Sequence, residues 1–341
     1  MHKLRNFCRW TLVAGCLLTP LWAFAQAVPD PVQYAMAPEV PGPNQRVLIE
    51  AQGVGSLLGD ATITWSKDGA VAQSGVGDSS YTFTTGDLGS QSVIDIRINS
   101  DQGTFEHEFV FSPSLINLVW EAQTTAPPFY KGKALYSAGS PVKVAALPVV
   151  YSGKSRIAPS ALSYQWSLNG EAQSSASGLG RSSFAFVGDQ LKAQEVVSVD
   201  AYYGAAKVAH GEVVIPASNP QLVLYQRDAL RGLLLDVAFP PAIGLTGKEI
   251  TVQAVPYNFS SADSAGGQLS YSWQLNGEDV LGPDSGQGIL TLRQTGSGTG
   301  AAQVAVSLQD YNSASFVQNA SAALTLVFGQ TGPLLNNLFG L

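Results

Sequence analysis

The chain has 341 residues, of which 45% are hydrophobic and only 13% are charged. This length allows two or three domains with separate cores, and the apolar share excludes a disordered polymer. The formal net charge of -7 argues against nucleic acid or anionic lipid as a partner.

The first 27 residues predict an export peptide. Basic residues come first, and an apolar stretch then leads to the small residues Ala23, Ala25 and Ala27, which form an A-x-A cleavage signal. The stretch is short and contains Pro20, so it does not predict a membrane span. Cleavage after Ala25 or Ala27 would leave 15 basic and 25 acidic residues, a net charge of -10. We therefore expect an acidic protein outside the cell or at its surface, with a periplasmic location as an alternative.

A second interpretation of the same stretch is a lipoprotein signal. Val13-Ala14-Gly15-Cys16 resembles a lipobox, in which Cys16 would be lipidated and would anchor the protein to a membrane. Cleavage at the A-x-A site would instead remove Cys8 and Cys16, the two cysteines of the chain. The mature protein would then contain neither a disulfide nor a thiolate metal site.

A repeat organises the rest of the chain. The segments ATITWSKDG (61–69), LSYQWSLNG (162–170) and LSYSWQLNG (269–277) align, and their tryptophans lie 101 and 107 residues apart. This spacing is the size of one β-sandwich domain.

Each copy of the repeat predicts a strand that ends in a sharp turn. In the second copy apolar and polar residues alternate, which places the apolar face in a core. The closing Asn-Gly or Asp-Gly pair tolerates positive φ. Lys67 stands where the other copies have leucine, so we expect the first strand to reach solvent earlier. The predicted core residues of the repeat are Trp65, Trp166, Trp273, Tyr164 and Tyr271.

Further alternating runs flank each copy, and no long helical period competes with them. The sequence therefore predicts an all-β protein of three tandem immunoglobulin-like sandwiches. We assign residues 1–27 to the signal peptide, 28–113 to module 1, 114–217 to module 2, 218–328 to module 3 and 329–341 to an apolar tail. Short linkers that contain proline predict a semi-rigid row of modules.

Modules 2 and 3 share an opening segment that module 1 lacks in sequence, and in both it is followed by an insert of about twenty residues. We expect the two inserts to lie on one side of the row. Aromatic residues in irregular segments are the better candidates for partner contacts; they are Trp120, Tyr130, Tyr136, Tyr202, Tyr203, Tyr225 and Tyr257.

The Tyr-x-Trp-x-Leu-Asn-Gly copies resemble the central strand of bacterial immunoglobulin-like and PKD-like modules. The resemblance covers roughly residues 45 to 328, although the aspartate and second glycine of the PKD signature are missing. It implies spacers or adhesive segments of secreted and cell-surface proteins, often near pilus or secretion systems.

The sequence predicts no catalytic residue, no metal site and no cofactor. His107 and His210 lie in closing strands without an evident acidic or metal-binding partner set, and we interpret them as exposed strand residues. The Gly-x-Ser-x-Gly motif of serine hydrolases is absent. Loop aspartates favour turns, and they leave calcium binding open.

The last residues of the chain are apolar. Leu334, Leu335, Leu338 and Phe339 follow a Gly-Pro break. This tail either packs on module 3 or is disordered, or it is a docking peptide that inserts into a partner's groove.

Together these features predict a non-catalytic extracellular or cell-surface binding and spacing protein. Its partner would be an extracellular or envelope protein, or a glycan, and not a nucleic acid; a membrane would be involved only through export or a lipid anchor. The alternative is an accessory subunit of an envelope assembly such as a pilus or secretion system. An extracellular hydrolase is the remaining and least favoured class.

Overall fold

The computed structural model describes residues 31–310 and 318–329. Strands dominate the described chain, and its helical pieces are a five-residue helix, α1, and two single 3₁₀ turns, Pro159–Ala161 and Ser285–Gln287. The fold is all-β, with three tandem immunoglobulin-like sandwiches, as the repeat predicts. The predicted signal peptide lies outside the described residues.

Module 1 consists of two antiparallel sheets. One sheet has the order β1-β2-β5 and the other has the order β4-β3-β6-β7. The strands are β1 Val32–Ala37, β2 Arg46–Gly53, β3 Thr62–Lys67, β4 Ala70–Val76, β5 Ser80–Thr84, β6 Ser92–Ser100 and β7 Gly103–Phe111. The alternating apolar residues of both sheets face each other and form the core.

Module 2 repeats this plan. Its sheets have the orders β15-β9-β8 and β13-β12-β16-β17, with β14 also paired to β12 and a separate β10-β11 hairpin. The strands are β8 Leu115–Ala122, β9 Pro141–Val149, β10 Tyr151–Ser152, β11 Ser155–Arg156, β12 Ser163–Leu168, β13 Glu171–Ala172, β14 Gly178–Leu179, β15 Ser183–Val187, β16 Gln194–Tyr203 and β17 Ala206–Pro216.

Module 3 has one more strand in each sheet than the plan of module 1. The orders are β19-β18-β21-β24 and β20-β26-β25-β22-β23, with β20 parallel to β26. The elements are β18 Gln221–Asp228, β19 Gly232–Ala238, β20 Ala242–Gly244, β21 Glu249–Tyr257, α1 Ser261–Ala265, β22 Leu269–Leu275, β23 Glu278–Val280, β24 Ile289–Arg293, β25 Gly300–Asp310 and β26 Asn319–Phe328.

The tryptophan strand occupies the same place in each module. Trp65 is paired with Ile96, Trp166 with Val199, and Trp273 with Val306. Because successive residues of a strand point to opposite faces, this common register places all three indoles between the sheets.

Two expectations from the sequence are wrong. Module 1 does have an opening strand, β1, which pairs with β2 over six residues. Five of those six residues are apolar, so the sequence of β1 lacks the alternation of apolar and polar residues that would reveal a strand. Lys67 also does not end its strand early. Its stem stays half-buried while its ammonium group donates to the carbonyl of Thr84 at 3.1 Å and lies 5.4 Å from the centre of the Phe83 ring.

Candidate functional site

The repeat residues are structural anchors. The exposed fractions of Trp65, Trp166 and Trp273 are 0%, 1% and 2%. Each indole N–H donates to a backbone carbonyl that precedes the next core strand, at 2.8, 2.9 and 3.2 Å respectively. Tyr164 is buried, whereas Tyr271 is half-buried against the core of module 3, and burial raises the pKa of both phenols.

The turn after each tryptophan is fastened to the neighbouring strand. Asp68, Asn169 and Asn276 have φ values of 51°, 53° and 51° and are followed by glycines that also have positive φ. Their side-chain oxygens accept the N–H groups of Val93, Val196 and Gln303 at 2.9, 2.9 and 2.8 Å. The Asx-Gly pair of the repeat therefore makes a type I′ turn and also a side-chain clip.

The insert of module 2, residues 123–140, acts as a strap between modules 2 and 3. At its start, Thr125 exchanges backbone hydrogen bonds with module 3: its N–H donates to Phe259 O, and its carbonyl accepts from Asn258 N, both at 2.8 Å. The N–H of Ser261 donates to Gln123 O at 3.0 Å. These bonds form a short antiparallel ladder across the junction.

The end of the strap is held by buried side chains. The Ser137 hydroxyl donates to Asn258 O at 2.6 Å. Gln318 directly precedes β26. Its side-chain amide donates to Ser137 Oγ at 3.0 Å and to Ala138 O at 2.8 Å. Both Ser137 and Gln318 are buried, so these hydrogen bonds are shielded from water and from salt.

Beneath the strap lies a buried carboxylate. Glu195 is 0% exposed and accepts hydrogen bonds from the Tyr136 hydroxyl at 3.1 Å, from Asn169 Nδ2 at 2.5 Å and from the Asp189 N–H at 2.5 Å. Burial, followed by the charge of Glu195, raises the pKa of Tyr136. The Tyr136 ring covers Gly188, where a Cβ would lie 2.0 Å from the phenol oxygen.

The middle of the strap projects into solvent. The Tyr130 N–H donates to Pro127 O at 3.1 Å, which closes a four-residue turn with Phe129 at its third position. Phe129 has a φ of 65° and is 90% exposed. A turn with Pro128 at its second position and positive φ at its third is of type II, which favours glycine where this chain has phenylalanine. The ring is thus displayed at a conformational cost.

Basic and aromatic side chains surround this turn. The Lys133 ammonium lies 3.4 Å from the centre of the Trp120 ring, and burial lowers the pKa of Lys133. Lys131 is exposed nearby, and Tyr130 keeps 49% of its surface exposed. We call residues 126–133 the aromatic loop. It contains two lysines and no carboxylate, within a chain of net charge -7.

The insert of module 3 is built differently. It forms the β18-β19 hairpin, whose tip displays Leu230 at 96% exposure. The N–H groups of Arg231 and Leu230 donate to Asp228 and lower the pKa of its carboxyl. The two inserts therefore share a position in sequence but not a structure.

Burial divides the seven aromatic candidates for partner contacts. Tyr130 and Tyr203 stay about half exposed, at 49% and 47%. Trp120 and Tyr202 are half-buried. Tyr136, Tyr225 and Tyr257 are buried, which removes them as contacts; Tyr257 donates to the Tyr225 hydroxyl at 3.1 Å.

The histidines lie in different environments. His107 is exposed, and its ring stacks on Tyr34 with ring centres 4.7 Å apart. His210 lacks an acidic partner in the sequence pattern, but the structure places its Nδ1 2.7 Å from Asp200 on the neighbouring strand. Lys207 binds the same carboxylate at 3.1 Å and Glu39 of module 1 at 3.4 Å. This partly buried cluster of charges joins modules 1 and 2.

Other predicted features have a simpler outcome. Among residues 31–310 and 318–329, no three His, Cys, Asp or Glu side chains come together as a metal ion would require. In that same part of the chain, no helix is long and apolar enough to cross a membrane. Cys16, the candidate lipidation site, and the tail residues Leu334, Leu335, Leu338 and Phe339 lie outside the described residues.

Comparisons with known proteins yield structural likeness only. No protein-family model and no curated protein matches the chain. Among solved structures, the three N-terminal domains of the bacteriophage RB49 highly immunogenic outer capsid protein are 13% identical, cover 88% of this chain and 98% of their own, and have a TM-score of 0.26. The central fibronectin-III array of RIM-binding protein is 13% identical, with coverages of 89% and 98% and a TM-score of 0.29. Because these TM-scores are low, the functions of those proteins say nothing about the function of this chain.

Sequence reasoning missed Glu195, Ser137 and Gln318. A signal for the first was present, because Glu195 alternates with Val197 and Val199 and so belongs to the buried face of β16. Ser137 and Gln318 carry no such signal, since their partners lie 121 and 181 residues away along the chain.

Proposed function

We propose that the chain is a non-catalytic binding and spacing protein that is exported and acts outside the cell or at its surface. The strap supports both halves of this proposal. Its start binds module 3 through a backbone ladder, its end binds module 3 through buried side-chain hydrogen bonds, and its middle displays the aromatic loop.

The proposed binding role rests on the exposure of Phe129. Phe129 is 90% exposed, and it is held against its backbone preference in a turn position that favours glycine. Aromatic residues are enriched in interfaces, and the charges of the two loop lysines suit an acidic partner. We propose that the loop contacts an extracellular or envelope protein, or a glycan that carries negative charge.

Binding to the native cell envelope tests this proposal. We expect the labelled full chain to bind an envelope preparation saturably and Phe129→Ser to weaken that binding at least tenfold. Leu179→Ser is the matched control, because Leu179 is 72% exposed on a different segment of module 2. Absence of saturable binding by the wild-type chain would refute the binding role, and equal losses in both variants would refute the assignment to the loop.

A further inference from the structure

An apolar groove opens at the end of module 3 that lies opposite the strap. It has a volume of about 420 Å³. Its apolar lining residues are Leu245, Leu275, Leu292, Ala302, Leu326 and Phe328. Four of the five large side chains are only half-buried, so the end of the sandwich keeps apolar surface open. The volume lies in the range of about 300–1,000 Å³ that is typical of sites enclosing small ligands.

The chain leaves its last strand at the wall of this groove. Phe328 lines the groove, and the next residue, Gly329, has a φ of 74°. A Cβ at Gly329 would lie 2.6 Å from Gly298 O and 2.8 Å from Thr299 Cα. The exit of the chain is therefore packed against the loop of residues 294–299, which forms one side of the groove.

Twelve residues follow Gly329, and they include Leu334, Leu335, Leu338 and Phe339. Four residues lie between Gly329 and Leu334, and the five Cα–Cα steps that join them can span up to about 17 Å. A tether this short gives the tail an effective concentration on the order of millimolar at the groove. A separate partner peptide would have to compete with it.

We propose that the tail occupies this groove of its own chain, with its leucines and Phe339 covering the open end of module 3. This inference is independent of the proposed contact through the aromatic loop. Burial of the four side chains supplies the hydrophobic driving force.

Disulfide trapping tests the proposal, because Cys8 and Cys16 are the chain's only cysteines. In a full chain that carries C8S and C16S, Thr295→Cys is combined with Asn337→Cys, which keeps the apolar tail residues. The control combines Asn337→Cys with Ala265→Cys, an exposed site at the opposite end of β22. We expect the disulfide within one chain to form at least tenfold faster in the pair with Thr295→Cys than in the pair with Ala265→Cys.

A tail variant separates specific docking from random collision. Replacing Leu335 and Leu338 with serine should slow trapping of the Thr295 pair at least tenfold, whereas Asn336→Ser should not. Similar trapping rates in the two pairs would overturn the proposal. Disulfide-linked dimers in place of monomers would also overturn it, because the occupant would then be the tail of a second copy.

Discussion

Phe129 combines an unfavourable backbone conformation with nearly complete exposure, and these two properties can be separated by substitution. Phe129→Ala removes the ring but keeps a Cβ at a φ of 65°. Phe129→Gly removes the ring and the Cβ. The left-handed conformation costs a non-glycine residue about 1–2 kcal/mol.

We therefore expect Phe129→Gly to be more stable than Phe129→Ala by about 1 kcal/mol, although both lose the exposed ring. The free energy of unfolding from urea titrations measures the difference. Equal stabilities would mean that the aromatic loop relaxes freely, and the argument that Phe129 is displayed at a cost would fail.

Tyr136 predicts how stability depends on alkaline pH. Its pKa is raised in the folded state, first by burial and then by the neighbouring Glu195. The phenol of the unfolded chain ionises near pH 10. Above that pH the unfolded state holds fewer protons than the folded state, so this contribution to stability is complete below pH 10 and is lost as the pH rises further.

We expect the stability advantage of the wild type over Tyr136→Phe to shrink between pH 10 and 11. Urea unfolding at pH 7, 10 and 11 measures this advantage. The exposed Tyr130→Phe serves as the control and should show no comparable change. An advantage that stays constant up to pH 11 would contradict the role assigned to the Tyr136 and Glu195 pair.

At the scale of elements, the three turn clips offer a natural comparison. Module 1 uses Asp68 where modules 2 and 3 use Asn169 and Asn276. Each of the three side chains accepts a hydrogen bond from the N–H at the equivalent position of the neighbouring strand in its own module. Asn276→Asp should therefore be nearly neutral. Asn276→Ala loses the hydrogen bond and keeps a Cβ at positive φ, which together cost about 2 kcal/mol.

Asn276→Gly relieves the backbone and loses only the hydrogen bond, so its expected cost is about 1 kcal/mol. Denaturant unfolding of the full chain, followed by the fluorescence of its tryptophans, gives the order of stabilities. An alanine variant as stable as the aspartate variant would show that the clip contributes little.

Strands in which apolar and polar residues strictly alternate could be predicted from the sequence, and strands without that alternation could not. The Trp166 strand alternates over its whole length, whereas β1 of module 1 alternates imperfectly and is recognised only through its pairing with β2. The strap was unpredictable in another way. Its fastening depends on Ser137 and Gln318, which are polar residues that become buried only when distant segments meet.

At the scale of the whole molecule, the strap predicts a fixed angle between modules 2 and 3. Spin labels at Ser175→Cys and Leu281→Cys, in a full chain that carries C8S and C16S, would report the distance between the modules. We expect a narrow distribution that broadens when Ser137 and Gln318 are both replaced by alanine. Ser272→Ala is the control, since Ser272 is exposed on β22.

A broad distribution in the starting protein would contradict the spacing role, whatever the variant does. Unchanged distributions in the double variant would place the constraint in the backbone ladder at Thr125 instead. Both outcomes can be interpreted because Ser137 and Gln318 lie at the junction and outside the three hydrophobic cores, so their substitution leaves the cores unchanged.

The strap also bears on how such a chain can be rearranged during evolution or in the laboratory. It is encoded within module 2, yet its buried hydrogen bonds are completed by Asn258 and Gln318 of module 3. A recombination breakpoint in the linker 217–220 would leave polar groups on both products without their partners. Modules 2 and 3 are therefore expected to be inherited, exchanged and expressed as one unit, despite having two separate cores.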